Sequence, residues 1–103
     1  MVDSSQNINS KNEAISIVIP AFNEEGAITN GIREIVEVMS STDIKYELII
    51  VDDGSSDKTA ELARAEGVQV IQQPENQGYG AALKAGIATS KHDIIVITDA
   101  DGT

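Results

Sequence analysis

The sequence predicts an α/β fold with a parallel, doubly wound sheet in three layers. Short β-branched apolar runs alternate with segments of helical period along the whole chain. The first of these runs, ending at Pro20, is too short for a helix and reads as a strand covered on both faces. No hairpin turn joins one run to the next, and helical crossovers between strands imply parallel pairing with right-handed connections.

The elements follow in order. Residues 1–13 are polar and without period, and they are expected to form a disordered arm. "AISIVIP" (14–20) has strand length and is stopped by Pro20. Ile28, Ile32, Ile35, Val36 and Met39 then fall on one stripe, which predicts an amphipathic helix over about 25–41. "YELIIVDD" (46–53) is a second strand. "GSSDKTAELARAEG" supplies serines able to cap, an alanine-rich helical body and Gly67 as a stop. "VQVIQ" is a short third strand, "PENQGYGAALKAGIATS" a turn and a third helix, and "DIIVITD" a fourth strand whose apolar run reads as central in the sheet.

Composition limits the functions available. The chain has 103 residues, 41% of them hydrophobic, which allows one domain, placed at 14–103. It has no cysteine, which excludes disulfides and thiolate metal sites and agrees with a reducing, cytoplasmic location. The first residues lack the apolar core of a signal peptide, and no run approaches the roughly 18 apolar residues of a membrane span. A net charge of -10 repels polyphosphate backbones and argues against nucleic acid as a partner. An anionic ligand is expected to arrive with a divalent cation.

In a doubly wound sheet the ligand crevice lies beyond the carboxyl ends of the strands, where the strand order reverses. "PAFNEEG", "DDGSSD" and "DADGT" all emerge there, which places Glu24, Glu25, Asp52, Asp53, Asp57, Asp99 and Asp101 on one rim. Each cluster also has a plain structural reading: Asn23 with Glu24 and Glu25 as a helix cap, "DDGSSD" as a capping turn, "DADG" as a surface turn. Convergence favours function, because carboxylates crowded at a low-dielectric edge are costly without a neutralising cation. Mg²⁺ or Mn²⁺ held by one or two carboxylates and completed by phosphate oxygens fits that pattern, and a nucleoside diphosphate is the natural ligand.

Rival phosphate motifs are absent or weak. The chain has no Gly-x-x-x-x-Gly-Lys-Ser/Thr, and the loop after the first strand lacks the dinucleotide glycine fingerprint. Gly78, Gly80 and Gly86 are expected to let the third helix pack closely on the sheet. Lys84 is expected to be a solvated helix residue, and His92 a turn residue at the edge opposite the acidic rim. Tyr46 and Tyr79 read as packing residues with a wet hydroxyl. A phosphoacceptor signalling domain also places an acidic pair at a strand end, but after its first strand, and no later strand here supplies the hydroxyl and lysine that it uses.

The blocks "SIVIPAFNEEGAI", "YELIIVDDGSSDKTAELA", "NQGYGAALKAGI" and "DIIVITDADGT" together resemble the nucleotide-sugar half of family 2 glycosyltransferases of GT-A type, a Rossmann-like fold, and in particular the dolichyl-phosphate mannose and polyprenyl-phosphate hexose synthases. The resemblance covers about residues 15–103. It implies that Pro20, Ala21, Phe22 and Glu24 cup the base and ribose, with Phe22 where the family often has tyrosine. It implies that Asp52 and Asp53 help to bind the nucleotide and, in some members, the metal. Asp99, Ala100 and Asp101 match the Asp-X-Asp motif, the first aspartate on the side of the nucleotide sugar and the second on the metal at the diphosphate. The implied metal set is Asp53, Asp99 and Asp101 with Mg²⁺ or Mn²⁺. Thr103 falls where many polyprenyl-phosphate transferases carry a metal-binding glutamine.

The family's pattern continues beyond Thr103, so the resemblance implies a sheet truncated after its fourth strand, with the catalytic residues expected further on. The reaction implied is transfer of a hexose from a nucleoside-diphosphate sugar to an acceptor such as a polyprenyl or dolichyl phosphate, at the cytoplasmic face of a membrane. The alternative is a non-catalytic fragment that binds nucleotide and metal. A sheet ending on its fourth strand is also expected to expose an apolar edge open to self-association.

Overall fold

The computed structural model describes residues 14–100. The elements are β1 (Ala14–Ala21), α1 (Ile28–Ser40), β2 (Lys45–Asp52), α2 (Thr59–Ala65), β3 (Gln69–Gln72), α3 (Tyr79–Thr89) and β4 (Ile94–Ile97). They form one sheet in the order β3-β2-β1-β4, and every pairing is parallel. The α/β alternation read from the sequence is therefore present.

Side-chain alternation along β1 and β2 sorts the core into two layers. Ile17, Ile19, Leu48 and Ile50 point to the face covered by α1 and α2, where they meet Ile28, Ile32 and Ala63. Val18, Ile49 and Val51 point to the other face and meet Ala82 of α3. Removing a buried side chain such as Ile50 from this packing is expected to cost roughly 2–5 kcal/mol. Gly86 is what brings α3 down onto the sheet: a Cβ there would overlap Val18 Cγ1 and lie 3.2 Å from Val51 Cγ2. Gly78 and Gly80 differ from expectation, since a Cβ at either would meet nothing within 4 Å.

One boundary, one stripe residue and one strand also depart from the sequence reading. α1 starts at Ile28, not near residue 25, and Val36 sits off the buried stripe at 39% exposure. β4 is an edge strand among the described residues, paired to β1 on one side. Its Ile94, Val96 and Ile97 are 44%, 41% and 42% exposed. Apolar character shows that a strand can be buried on both faces, but which strands flank it is set by topology. The polar arm at 1–13, Asp101 and Thr103 lie outside the described residues.

β1 leads outward through β2 to β3, and the chain then returns to place β4 on the other side of β1. The order reverses between β1 and β4, so the crevice expected of such a sheet lies above their carboxyl ends.

Candidate functional site

A cavity of about 540 Å³ occupies that switch point. Pro20 and Ala21 at the end of β1, with Phe22 and Glu24 of the loop that follows, line one part of it. Asp53 stands at its base, Asn76, Gly78, Tyr79 and Ala82 form the opposite wall, and Asp99 and Ala100 close it beside β4. The volume lies in the range of small-molecule sites.

The loops around it are fixed by one another. Asn23 adopts a left-handed φ of 53°, which asparagine tolerates better than most residues. Its N–H donates to Ser55 Oγ at 2.8 Å, and its Oδ1 accepts the Ser56 N–H at 2.9 Å. The Glu24 N–H donates to Thr59 Oγ1 at 2.8 Å, the Glu25 N–H to Asp57 Oδ2 at 3.2 Å, and the Lys58 N–H to Glu25 Oε1 at 2.9 Å. Asn23 thus clasps the β2–α2 loop and does not cap α1, whose first residues bond through backbone N–H groups to the Glu24 carbonyl. Nor do the serines cap α2. Asp57 Oδ1 accepts the Thr59 N–H at 3.0 Å, and Glu25 from the neighbouring loop takes the Lys58 N–H. The Thr59 hydroxyl holds the Asp57 carboxyl below its ordinary pKa, burial opposes this, and the Thr59 and Glu25 N–H groups reinforce the depression.

The acidic rim divides into different roles. Asp52 is fully buried on the α1–α2 face, with Oδ1 accepting the Ser55 hydroxyl and Oδ2 without a hydrogen-bond partner, and it does not line the cavity. Asp53 points the other way and is 4% exposed. Its Oδ1 accepts Gln73 Nε2 and the Gln77 N–H, both at 2.8 Å, and its Oδ2 accepts the Gly78 N–H at 2.9 Å. Three of its roughly four lone-pair positions are thereby engaged in holding the β3–α3 loop. Glu25 and Asp57 belong to the loop clasp, which leaves Glu24, Asp53 and Asp99 as the carboxylates of the cavity among the described residues.

All three are oxygen donors, the type that suits a hard divalent cation completed by phosphate oxygens. Among the described residues no three His, Cys, Asp or Glu side chains form a metal-binding group, and Asp101 lies outside those residues. The set therefore suits an ion held by one or two carboxylates together with its ligand.

Asn76, Gly78, Tyr79 and Ala82 were not among the residues singled out for the site. Tyr79 is 59% exposed in the cavity wall, unlike the half-buried Tyr46, which packs against the core as expected. The available signal was an Asn-Gln-Gly turn beside the crevice with an aromatic just after it. Lys84 is exposed, and His92 lies at the amino ends of the strands, far from the cavity, both as expected. No helix among the described residues is long and apolar enough to cross a membrane.

The model for the family described as Glycosyl transferase family 2 matches residues 16–103. A dolichyl-phosphate beta-glucosyltransferase of Trichomonas vaginalis is 32% identical over 98 residues, covering 85% of this chain and 30% of that protein. An undecaprenyl-phosphate 4-deoxy-4-formamido-L-arabinose transferase of Edwardsiella ictaluri is 34% identical over 93 residues, covering 84% of this chain and 29% of that one. A mannosyltransferase from Pyrobaculum calidifontis, solved with GDP-Man and Mn²⁺, superposes with a TM-score of 0.76 at 27% identity, over 89% of this chain and 29% of its own. Glucosyl-3-phosphoglycerate synthase from Mycobacterium tuberculosis, solved with Mn²⁺, UDP and phosphoglyceric acid, gives 0.71 at 32% identity, over 86% and 33%. The fold is the GT-A fold, and the chain spans about 30% of the length of the curated relatives it matches.

Proposed function

The chain belongs to glycosyl transferase family 2, and on that premise we propose that it forms the donor-binding part of a hexosyltransferase acting on a nucleoside-diphosphate sugar. The observation that carries this reading is the cavity at the β1/β4 switch point, with Asp99 at its edge, Asp53 at its base and Phe22 in its wall. Pro20, Ala21, Phe22 and Glu24 cup the base and ribose. Asp53 shapes the floor through the loop it holds, and Asp52 fixes the β2–α2 loop from within. Asp99 and Ala100 flank the diphosphate.

Asp99, with Asp101, would hold Mg²⁺ or Mn²⁺, with Asp53 and its remaining lone pair alongside. The cation supplies charge neutralisation at the diphosphate, which makes it a better leaving group. The bond from the sugar's anomeric carbon to the diphosphate breaks, and a bond to the acceptor oxygen forms. The acceptor is a polyprenyl or dolichyl phosphate, a choice supported by the likeness to a dolichyl-phosphate and an undecaprenyl-phosphate transferase. The cysteine-free composition supports a reducing compartment, and we place the reaction at the cytoplasmic face of a membrane. The exposed Ile94, Val96 and Ile97 of β4, an edge strand among the described residues, support self-association through the sheet.

The carboxylates of the cavity, which suit a metal-bound diphosphate, also support a second reading, in which the chain binds donor and metal without turnover. Incubation of the chain with labelled nucleotide sugar, Mn²⁺ and a polyprenyl phosphate separates the two. Labelled lipid supports a catalytic chain, and saturable binding without product supports the second reading. The absence of both contradicts the proposal.

A further inference from the structure

The chain has three aromatic residues, two Tyr and one Phe, and the two most exposed of them line one cavity. Phe22 is 45% exposed and Tyr79 is 59% exposed. A single exposed ring needs no explanation, but two rings drawn from different elements into one acidic cavity present flat apolar faces beside its carboxylates.

The backbone beneath Tyr79 is held while its ring is free. Asp53 accepts the N–H groups of Gln77 and Gly78, the two residues before Tyr79, at 2.8 and 2.9 Å. The Asn76 side chain adds a bond to the Asp53 carbonyl at 3.3 Å. Gly78 takes a φ of 103°, a conformation that turns the loop into α3 and that other residues adopt only with strain. A ring on a fixed backbone loses little freedom on binding, which is the arrangement of a preorganised contact.

We propose that Tyr79 stacks on the nucleobase of the donor and that Asp53 is the residue that positions it. The proposal rests on the reading of the cavity as a nucleoside-diphosphate-sugar site. Its ligand chemistry is the planar heteroaromatic ring, as distinct from the sugar or the phosphates. With a net charge of -10, the protein gains little from bare phosphate, and stacking on an uncharged face escapes that repulsion.

The test titrates the protein, in the presence of Mn²⁺, with UDP, GDP and inorganic pyrophosphate. Tyr79→Ala is expected to weaken both nucleoside diphosphates about tenfold while leaving pyrophosphate unchanged, and Tyr79→Phe to bind as the wild type does. In a double-mutant cycle, Asp53→Ala is expected to remove most of the effect of Tyr79→Ala, because the ring is no longer held. Unchanged nucleotide affinity in Tyr79→Ala, or an equal loss for pyrophosphate, overturns the stacking role. Additive losses in the cycle overturn the positioning role of Asp53. A wild-type chain that binds neither nucleotide overturns the donor-site reading and the role of Tyr79 together.

Discussion

Gly31 of α1 lies against the carbonyl oxygen of Ala100, so close that a Cβ at position 31 would fall inside van der Waals contact. The helix and the turn that carries Asp99 therefore meet backbone to backbone. Gly31→Ala is expected to push that turn away from β1 and to cost about 1–3 kcal/mol in stability. Nucleotide affinity in the presence of Mn²⁺ falls with it, whereas Gly26→Ala, where a Cβ meets nothing within 4 Å, changes neither. Urea midpoints and nucleotide titrations on both variants check this.

Two glycines of α3 are expected to respond in opposite directions. Gly80→Ala adds a methyl group in open space within a helix and should stabilise by about 0.5–1 kcal/mol. Gly86→Ala drives a methyl group into Val18 and should destabilise by about 1–3 kcal/mol. Thermal midpoints that move the same way in both variants would contradict the packing of α3 on the sheet.

The Asn23 clasp can be separated into backbone and side-chain contributions. Asn23→Gly keeps the left-handed φ and loses the bond to the Ser56 N–H, at a cost of about 1 kcal/mol. Asn23→Ala loses the bond and adds left-handed strain of roughly another 1 kcal/mol. Chemical denaturation of the two variants should show alanine as the worse substitution.

Acid sensitivity follows from two carboxyls. Asp57 is held low chiefly by the Thr59 hydroxyl. Burial pushes Glu47 up, but the Lys91 N–H at 2.6 Å, the Ser16 hydroxyl at 2.5 Å and the nearby His92 and Lys91 charges outweigh it, so Glu47 is also held low. A carboxyl depressed by folding stabilises above its unfolded pKa, and that contribution is lost as pH falls through the folded pKa. Stability is therefore expected to drop as pH falls through and below the ordinary carboxylate range. Glu47→Gln and Asp57→Asn should each flatten the decline in urea midpoint with pH, and an unchanged slope in both would contradict these assignments.

The alternation of strands and helices was legible because β-branched runs such as 17–19 and 49–51 have no polar beat and the stripe from Ile28 to Met39 has a helical one. The expectation of a site at the carboxyl edge came from topology, and Pro20, Ala21, Phe22, Glu24, Asp53, Asp99 and Ala100 line one cavity there. What escaped was long-range. Asp52 and Asp53 are neighbours in sequence but face opposite sides of the sheet, so the pair cannot act as one unit. Asn23 looked like a cap because a local pattern does not reveal that its bonds go to residues 32 and 33 positions away. β4 looked central because its composition suits burial, whereas among the described residues it pairs with β1 alone and stands at the edge. Gly31 gave no local signal, since it matters through what it meets across the fold, and Tyr79 was marked only by the turn before it.

The central claim is that the cavity between β1 and β4 binds a nucleoside diphosphate with a divalent cation at Asp99. Calorimetric titration of the protein with UDP and GDP, with and without Mn²⁺, tests it most directly, with Asp99→Asn alongside. The account predicts saturable binding that requires Mn²⁺ and is weakened at least tenfold by the substitution. Binding indifferent to both the metal and Asp99, or no binding of either nucleotide, would contradict it.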